Sequence, residues 1–478
     1  MNRATADRNR RAAGHLLLWV LLVVLAGGGL PRDVRGGAEQ SQSPAAPPNE
    51  IAVVLKEIPV WEVASERVRD SFLRGQYTVV QKEKPPQGKY PAFQSDTPLF
   101  GNIQFSAGSW RCSFRFALDK SQAAGGYDLL YFDDNGDSDL TNDRPRRPGP
   151  QSERLARRSS GVTETYFEPV AVAFDFGAAG RQTLELLPFL QIYEGDTPQF
   201  SFIAARVHTG EFRIADTSYQ AFLGYRFSIR GPLDQPSTTL ILAPTGGEPA
   251  LWWGGDQLNS THLLGNRYYR FSSTPAGDKL SVCPYEGPFG ILEVGAGGRN
   301  IEKVVMRGSL RSKDSAVAIG EALKDGWPQS ARQCRIPVGD YYPALVYVDL
   351  GNLRIMASNN YHTNAQGQRS RSGPVHGIAI RADKPYILDF SNKPTVVFTE
   401  PAARRQIARG NEVTVKAVLV DPVLDIMIRR LNVTARTPPG TSAGGQEQAT
   451  GQPVSLDPKV VVSRANGEIV AEGVMPFG

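Results

Sequence analysis

Short apolar runs and alternating apolar and polar positions recur along the chain and predict many β-strands. Segment 110–118 is the clearest, because Trp110, Cys112, Phe114 and Phe116 fall on one face of a pleated strand. The same patterns predict strands at 51–55, 77–82, 102–106, 127–132, 170–176, 183–187, 200–207, 219–229, 238–242, 267–272, 279–282, 290–294, 342–349, 376–381, 386–390, 395–399, 412–420, 459–463 and 469–473. Segment 62–73 favours a helix, and segment 314–324 fits either a short helix or a strand.

The spacing of these strands predicts a mainly all-β fold with several β-sandwich or barrel-like modules and a C-terminal immunoglobulin-like sandwich. The 48 Gly and 35 Pro exceed average usage and suit many turns. The predicted boundaries are a signal peptide at 1–38, a disordered linker at 39–50, a β-rich module with a calcium-type loop at 51–160, β modules at 161–250 and 251–383, and the sandwich at 384–478 with a disordered insert at 436–453.

The N-terminus has the organisation of an export signal. A basic region through Arg11 precedes the apolar run 16–26 and three glycines, and cleavage near Ala38 fits the pattern. About eleven apolar residues are fewer than the roughly 20 that a spanning helix needs, and an uncleaved anchor is the alternative. We therefore expect an exported bacterial protein, periplasmic, cell-surface or extracellular, with no transmembrane segment after signal cleavage.

Net charge narrows the choice of partners. The formal charge is +5, but residues 1–38 hold six Arg against Asp7 and Asp33, a net of +4, which leaves +1 for the rest of the chain. Because the basic excess belongs to the export signal, nucleic acid is not an expected partner. The partner stays unknown, and the classes considered are an envelope polysaccharide and a protein.

Three cysteines allow at most one internal disulfide. Cys283 and Cys334 are the expected pair, because both fall in the predicted module 251–383. Cys112 lies on the apolar face of its predicted strand, so we expect it to be a buried thiol rather than a nucleophile.

An acidic stretch directly after the predicted strand 127–132 is the strongest candidate site. Five aspartates fall within residues 133–143, and carboxylates that converge in a folded loop repel one another unless a cation neutralises them. The first, third and fifth residues repeat the acidic spacing of an EF-hand-type loop, whose odd positions face the ion. The predicted cofactor is therefore Ca²⁺, with ligands at Asp133, Asn135, Asp137, Asp139, Thr141 and Asp143.

Two positions depart from the EF-hand pattern. Ser138 stands where the sharp turn favours Gly, and Arg144 replaces the bidentate Glu, so Asp143 has to serve as the last ligand. A solvated acidic turn without a metal is the alternative interpretation of the stretch.

An arginine-rich segment follows the acidic loop. Residues 144–158 hold six Arg interrupted by three Pro. We expect a solvated linker that partly neutralises the loop, and the alternative is a salt-sensitive contact with an anionic polymer such as a cell-wall phosphate.

Few sequence features indicate catalysis. The H-E-x-x-H, phosphate-loop and C-x-x-C patterns are absent, and we assign no catalytic residue.

A weaker ligand-binding candidate combines Trp252 and Trp253 with Tyr268 and Tyr269, since an exposed ring would stack on a sugar. Packing of these rings in a core or at a domain junction is the alternative.

The acidic loop also carries a family resemblance. It has the form D-x-N-G-D-x-D-L-T-x-D, and it occurs with Y-P…P-L-F-G at 90–101, D-K-P-Y at 383–386, D-P-V-L-D at 421–425 and L-D-P-K-V at 456–460. Together these segments resemble large, uncharacterised, secreted β-rich bacterial proteins with calcium-type loops of this form. The resemblance implies an exported β-rich fold and supplies no catalytic role.

These observations favour a secreted, calcium-stabilised, non-enzymatic envelope or extracellular protein that works by binding or adhesion. One alternative is a carbohydrate-active enzyme or sugar-binding protein. The other is a structural envelope component that assembles with itself through an open C-terminal strand edge.

Overall fold

The computed structural model describes residues 50–475, with gaps at 123–124, 156–161, 194–197, 248, 250–256, 266, 299–300, 302–303, 314, 322–331, 360–376, 401–405, 407, 409–414 and 435–452. The predicted signal peptide, nearly all of the predicted linker and nearly all of the predicted insert at 436–453 lie outside the described residues. Within the described part of the chain, no helix is long and apolar enough to cross a membrane.

β-Strands dominate the described residues, which confirms the predicted mainly all-β class. The strands up to residue 244 are β1 (Ile51–Val54), β2 (Lys56–Pro59), β3 (Gln76–Val79), β4 (Leu99–Ala107), β5 (Trp110–Asp119), β6 (Leu129–Phe132), β7 (Val162–Tyr166), β8 (Val170–Asp175), β9 (Arg181–Tyr193), β10 (Gln199–Ala204), β11 (Arg206–Ile214), β12 (Thr217–Gly224) and β13 (Thr239–Pro244). Those that follow are β14 (Ser260–Leu264), β15 (Arg267–Ser273), β16 (Lys279–Pro284), β17 (Phe289–Gly295), β18 (Val304–Arg311), β19 (Ala316–Glu321), β20 (Gln333–Pro337), β21 (Gly339–Leu350), β22 (Leu353–Asn359), β23 (Ile378–Ile380), β24 (Tyr386–Asp389), β25 (Thr395–Glu400), β26 (Lys416–Asp421), β27 (Ile426–Thr434), β28 (Pro453–Ser455), β29 (Lys459–Ser463) and β30 (Ile469–Val474).

Two short α-helices interrupt the described strands, α1 at Glu66–Phe72 and α2 at Pro150–Leu155. Helix α1 lies inside the predicted helix 62–73 and begins after Ser65, whose Oγ accepts a hydrogen bond from the backbone N–H of Val68 at 3.4 Å. Helix α2 begins at Pro150, where the missing N–H costs no helical hydrogen bond. Two 3₁₀ turns lie at Val60–Glu62 and Gly177–Ala179.

The largest sheet holds thirteen of the described strands, in the order β1-β16-β15-β14-β19-β18-β21-β22-β27-β26-β25, with β23 paired to β21 and β28 to β27. Segment 314–324, for which the sequence fits either a short helix or a strand, contains the strand β19. One face of this sheet packs against the sheet β20-β17-β24, and Ile336, Val348 and Leu388 are buried between them.

Strand pairing crosses the boundaries between the predicted modules. Strand β1, from the predicted module 51–160, pairs antiparallel with β16, and Val54 lies opposite Lys279. Strand β2 pairs with β11 in the sheet β13-β12-β11-β2. The strands of the predicted C-terminal sandwich are divided in the same way: β24 pairs with β17, β25 to β27 extend the large sheet, and β29 and β30 form a separate hairpin.

Two smaller sheets carry the acidic loop on a shared aromatic core. The sheet β4-β5-β6 faces the sheet built on β3, β10, β9, β7 and β8. Phe116 of β5 is fully buried, with its ring centroid 4.6 Å from that of Phe200 and 6.0 Å from that of Phe202. Because the strand that leads into the loop belongs to this core, the start of the loop has a fixed base.

The predicted disulfide is wrong. Cys283 lies on β16 and Cys334 on β20, in different sheets, and both are free thiols. Sharing a predicted module did not bring them together, because pairing of distant strands decides which residues become neighbours. Cys112 is partly buried against the aromatic core, as its place in the alternating pattern predicts.

Candidate metal site

The acidic loop begins where β6 leaves the core. All four residues of β6 are buried, and the backbone N–H of Asp133 donates to the carbonyl oxygen of Arg115 at 3.0 Å. Near the far end of the loop, Leu140 is buried beside Phe100 and Tyr131. A buried strand before the loop and a buried leucine within it hold residues 134–139 between them at or near the surface.

Asp133 is the most deeply placed acid of the loop. It is 1% exposed, and its Oδ2 accepts a hydrogen bond from the backbone N–H of Ser138 at 3.0 Å. Its Oδ1 is also buried but has no hydrogen-bond partner. A buried carboxylate oxygen without a partner is costly unless a cation or a proton neutralises it.

A ladder of side-chain hydrogen bonds shapes the middle of the loop. The Oδ1 of Asn135 accepts from the N–H of Asp137 at 2.9 Å, the Oδ1 of Asp137 from the N–H of Asp139 at 2.8 Å, and the Oδ1 of Asp139 from the N–H of Thr141 at 3.1 Å. Each acceptor bonds the residue two positions on, which is the Asx-turn geometry. Asn135, Asp137 and Asp139 thus share one turn geometry, and the ligand role of the odd positions stays a prediction.

Asp143 is where the negative charges of the loop meet. Its Oδ2 is buried without a partner, and burial is the main cause that raises its pKa to about 7. The charge of Asp134, a hydrogen bond with Asp134 and the charges of Asp133 and Asp137 raise this pKa further. Carboxylates in this arrangement favour either a bound proton or a bound cation.

Asp139 and Thr141 make other contacts. The Nζ of Lys89 lies 2.7 Å from Asp139 Oδ2, and the hydroxyl of Thr141 donates to Asp139 Oδ1. The hydrogen bond from Lys89 is the main cause that lowers the pKa of Asp139 to about 2. Of the predicted ligands, the structure therefore brings Asp133, Asp137 and Asp143 into one electrostatic group, and it pairs Asp139 with a lysine.

Asn135 joins that group through Asp137. Its Nδ2 donates to Asp137 Oδ2 at 3.1 Å, and Asn142 Nδ2 donates to the same oxygen at 2.7 Å. Across the described residues, no group of three or more His, Cys, Asp or Glu side chains is arranged so as to hold a metal ion. The predicted ligand set also includes an amide and a hydroxyl oxygen, which are suitable donors for Ca²⁺.

Sequence reasoning missed the part played by Asp134. Its even position predicts a side chain turned to water, and Asp134 is indeed exposed, but its carboxylate is also hydrogen bonded to Asp143 and lies 2.9 Å from the guanidinium of Arg146. Two further ion pairs join Arg144 to Glu168 and Arg147 to Asp128, at 3.1 Å and 3.6 Å. Only the Arg146–Asp134 pair involves the loop itself and agrees with the prediction that the arginine-rich segment partly neutralises it, since Glu168 and Asp128 lie outside the loop.

The predicted sugar-binding residues are only partly described. Tyr268 and Tyr269 are buried, with 3% and 9% of their surface exposed, so these two rings offer no open face to a sugar. Trp252 and Trp253 lie outside the described residues. A sugar-stacking surface at this place stays a prediction that depends on the two tryptophans.

One motif was overlooked in the sequence. Residues 440–444 read G-T-S-A-G, which has the form of the G-x-S-x-G nucleophile elbow. That motif needs a strand directly before it and a helix directly after it. Here two prolines precede it, a polar Gly- and Gln-rich stretch follows it, and the segment lies outside the described residues, so it supports no catalytic assignment.

A scan against protein-family models, a search of curated proteins and a search of solved structures each found no match to this chain.

The backbone of Ser138 gives the first testable prediction. Its φ of 64° lies in the left-handed region, which costs a residue with a side chain about 1–2 kcal/mol. Glycine at this position would remove that strain. The larger backbone entropy of Gly in the unfolded chain offsets part of the gain, so we expect Ser138→Gly to stabilise the fold by about 0.5–1 kcal/mol. The midpoint of urea unfolding measures the change.

Gly136 is the matched control. Its φ is 75° and an added Cβ would meet nothing within 4 Å, so Gly136→Ala introduces only the backbone strain and should destabilise the protein. If both substitutions moved the unfolding midpoint in the same direction, the assigned loop conformation would be wrong.

The raised pKa of Asp143 gives a pH-dependent prediction. Its pKa is about 7 in the folded protein and near the ordinary 3.8 when unfolded, so the folded state binds more protons between these values. Without calcium, this group therefore makes stability fall as pH rises from about 4 to 7. The urea midpoints of wild type and Asp143→Asn, compared across that pH range in EDTA, isolate the contribution of Asp143. The difference in midpoint between the two proteins should narrow toward pH 4.

Wild type has to be compared with Asp143→Asn because two histidines change stability with pH in the opposite direction. Burial lowers the pKa values of His208 and His262, so they favour the folded state as pH rises over part of the same range. Asp96→Asn, at an exposed acid outside the loop, serves as a control and should follow the wild-type curve. A wild-type minus Asp143→Asn difference that stays constant with pH would contradict the assignment.

Proposed function

We propose that this chain is a secreted, calcium-stabilised, non-enzymatic protein of the bacterial envelope or extracellular space, and that it works by binding or adhesion. The observation that carries the calcium proposal is the pair of buried, unpartnered carboxylate oxygens, Asp133 Oδ1 and Asp143 Oδ2, in one electrostatic group. Calcium takes six to eight oxygen ligands, and unpartnered carboxylate oxygens are the donors it prefers.

The position of the loop supports a structural role for the ion. After the loop, the chain pairs back onto β6, with the N–H of Leu130 donating to the carbonyl of Arg146 at 2.9 Å and the reverse bond at 2.8 Å. Two residues later, Pro148 pairs with Phe167, next to the strands of the facing sheet. An ion held by Asp133 and Asp143 would therefore fix the crossing of the chain from one small sheet to the other.

The predicted export signal, the all-β scaffold and the resemblance to secreted β-rich bacterial proteins support the envelope or extracellular part of the proposal. Calcium sites of extracellular modules bind with Kd values of about 10⁻⁴–10⁻³ M, matched to a calcium-rich compartment. A rigid scaffold that presents loops is a common basis for adhesion.

Calcium titration by isothermal calorimetry tests the proposal directly. We expect one site with Kd of about 10⁻⁴–10⁻³ M in wild type. Asp137→Ala should lose it, and Asp96→Ala, which removes an exposed acid elsewhere, should keep it. Wild type without saturable calcium binding would refute the metal site.

A second experiment separates adhesion from the sugar-processing alternative. The calcium-loaded protein is incubated with purified envelope polysaccharides and with whole cells, and both retention and reducing-end release are measured. Retention without release supports a binding protein, whereas release of reducing ends would establish an enzyme.

A further inference from the structure

An apolar groove lies between the strands β25 to β27 and the hairpin β29–β30. Its volume is about 460 Å³, within the roughly 300–1,000 Å³ typical of small-molecule sites. The main apolar lining residues are Val396, Phe398, Leu419, Ile428, Val460 and Val461.

The floor of the groove continues the core of the large sheet. Val396 lies directly opposite Leu419, and Leu419 directly opposite Ile428, so the three side chains share one face. Ile428 is buried in the core, whereas Val396 is 47% exposed and Phe398 is 60% exposed. Apolar surface that is continuous with a core yet open to water is a feature of binding sites.

The charged residues of the groove are all basic. Lys459 and Arg429 belong to its lining, and no Asp or Glu among the described residues does. The Arg429 Nε donates to the Ser358 Oγ at 3.0 Å, and neither base takes part in an ion pair with the acids of the described residues. Lys459 is exposed at the edge of the hairpin, so an anionic group bound there would meet a lysine without a competing acid.

The hydrogen bonding of the walls distinguishes an acyl chain from a peptide. The floor strands bond to one another, β29 bonds to β30, and the N–H of Met475 donates to the Pro458 carbonyl at 2.9 Å. A peptide strand laid on this sheet face would bury its own N–H and C=O groups without partners, which is costly. A hydrocarbon chain has no such groups to satisfy.

We propose that this groove binds a single-chain anionic amphiphile of the fatty-acid type, taken from solution, with its acyl chain on the floor and its carboxylate at Lys459. The volume, the open apolar floor and the basic rim each match one part of such a molecule. This site is separate from the calcium loop and does not depend on the calcium proposal.

Calorimetry of the full chain with octanoate, decanoate and laurate, each below its micelle-forming concentration, tests the apolar part. Affinity should rise about fourfold for each added methylene, the increment expected for burial of one CH₂ group. Phe398→Glu should lower laurate affinity at least tenfold, and because Phe398 is mostly exposed this variant should still fold. Val79→Glu, at an 82% exposed valine on β3, is the matched control and should bind as wild type does.

A charge comparison tests the head group. Lys459→Glu should weaken decanoate binding about two- to fivefold, the range of an exposed ion pair, and should leave binding of neutral decanol unchanged. Equal loss for decanoate and decanol would overturn the assignment of Lys459.

Other occupants of the groove give distinct results. Wild type without saturable laurate binding overturns the proposal. In that case, two further measurements identify the occupant. Binding of anionic phospholipid vesicles to wild type but not to Phe398→Glu would indicate a membrane surface. Concentration-dependent dimerisation that Phe398→Glu abolishes would indicate a second copy of the chain.

Discussion

Wild-type protein is expected to unfold at a lower temperature in EDTA and to recover fully when calcium is returned. A ligand that binds only the folded state stabilises it by RT ln(1 + [L]/Kd), about 2.7 kcal/mol at a hundredfold excess over Kd. For a Kd near 10⁻⁴ M, about 10 mM calcium supplies that excess. The physical reason is that the ion would neutralise Asp133 and Asp143, which each leave a buried oxygen without a partner. Differential scanning calorimetry measures the shift.

Variants of the loop decide whether the shift comes from this site. Asp137→Ala should make the melting temperature the same in EDTA and in calcium, whereas Asp96→Ala should preserve the wild-type difference. Magnesium at equal concentration should stabilise less, because it demands near-ideal octahedral geometry and gives up its waters reluctantly. An unfolding curve that EDTA leaves unmoved would contradict a calcium-stabilised loop.

Replacing Phe116 by alanine should cost about 3–5 kcal/mol of unfolding free energy, the range for deleting a fully buried aromatic ring. Phe116 has no exposed surface, and its ring packs against Phe200 and Phe202 from the facing sheet. Its neighbour Gly101 has no room for a side chain, since an added Cβ would lie 2.1 Å from the Phe116 ring. The site is therefore tightly packed, and deletion of the ring leaves a cavity. Urea denaturation followed by tryptophan fluorescence measures the loss.

Phe398→Ala is the matched control for that experiment. It removes the same ring from a position that is 60% exposed, so the loss should stay within about 1 kcal/mol. Comparable losses at Phe116 and Phe398 would mean that the core between the two small sheets is not packed as described.

The sequence patterns predicted part of the local structure and missed β14, β18, β22 and β27, all in the large sheet. Segment 110–118 became β5 because side chains that alternate in sequence pack on one face of a sheet. Segment 127–132 ends at the same residue as β6, and there the signal is a short apolar run, since all four residues of β6 are buried. The extent of the predicted helix 62–73 was too long, since Ser65 caps α1 and the preceding residues form a 3₁₀ turn. Boundaries of this kind depend on single capping contacts that a periodic pattern does not contain.

Which strands become neighbours was not predictable from the pattern. The sequence places β1 in one predicted module and β16 in another, yet they are hydrogen-bonded partners. Period-2 alternation indicates that a segment is a strand and which of its faces is buried. It does not indicate which other strand lies beside it, because any strand with a matching apolar face could pair there. The predicted disulfide between Cys283 and Cys334 was wrong for the same reason.

The sequence predicted which acids of the candidate site lie together but not their contacts with distant segments, and metal binding stays a prediction. Spacing alone identified Asp133, Asp137 and Asp143, which lie in one group. It did not reveal that Lys89, more than forty positions earlier, pairs with Asp139, or that Asp134 contacts Asp143. Contacts with distant segments depend on the tertiary fold, whereas the turn geometry of the loop is local.

The pairing of β1 with β16 has a consequence for how the chain acquires its fold. Strand β1 ends at Val54 and its partner begins at Lys279, so the first of the described strands stays without its neighbour during synthesis until more than 220 further residues have followed. At roughly 5–20 residues per second this delay is on the order of 10–45 s. The large sheet is thus completed late, and until then a partly synthesised chain would leave the backbone N–H and C=O groups of β1 without their β16 partners.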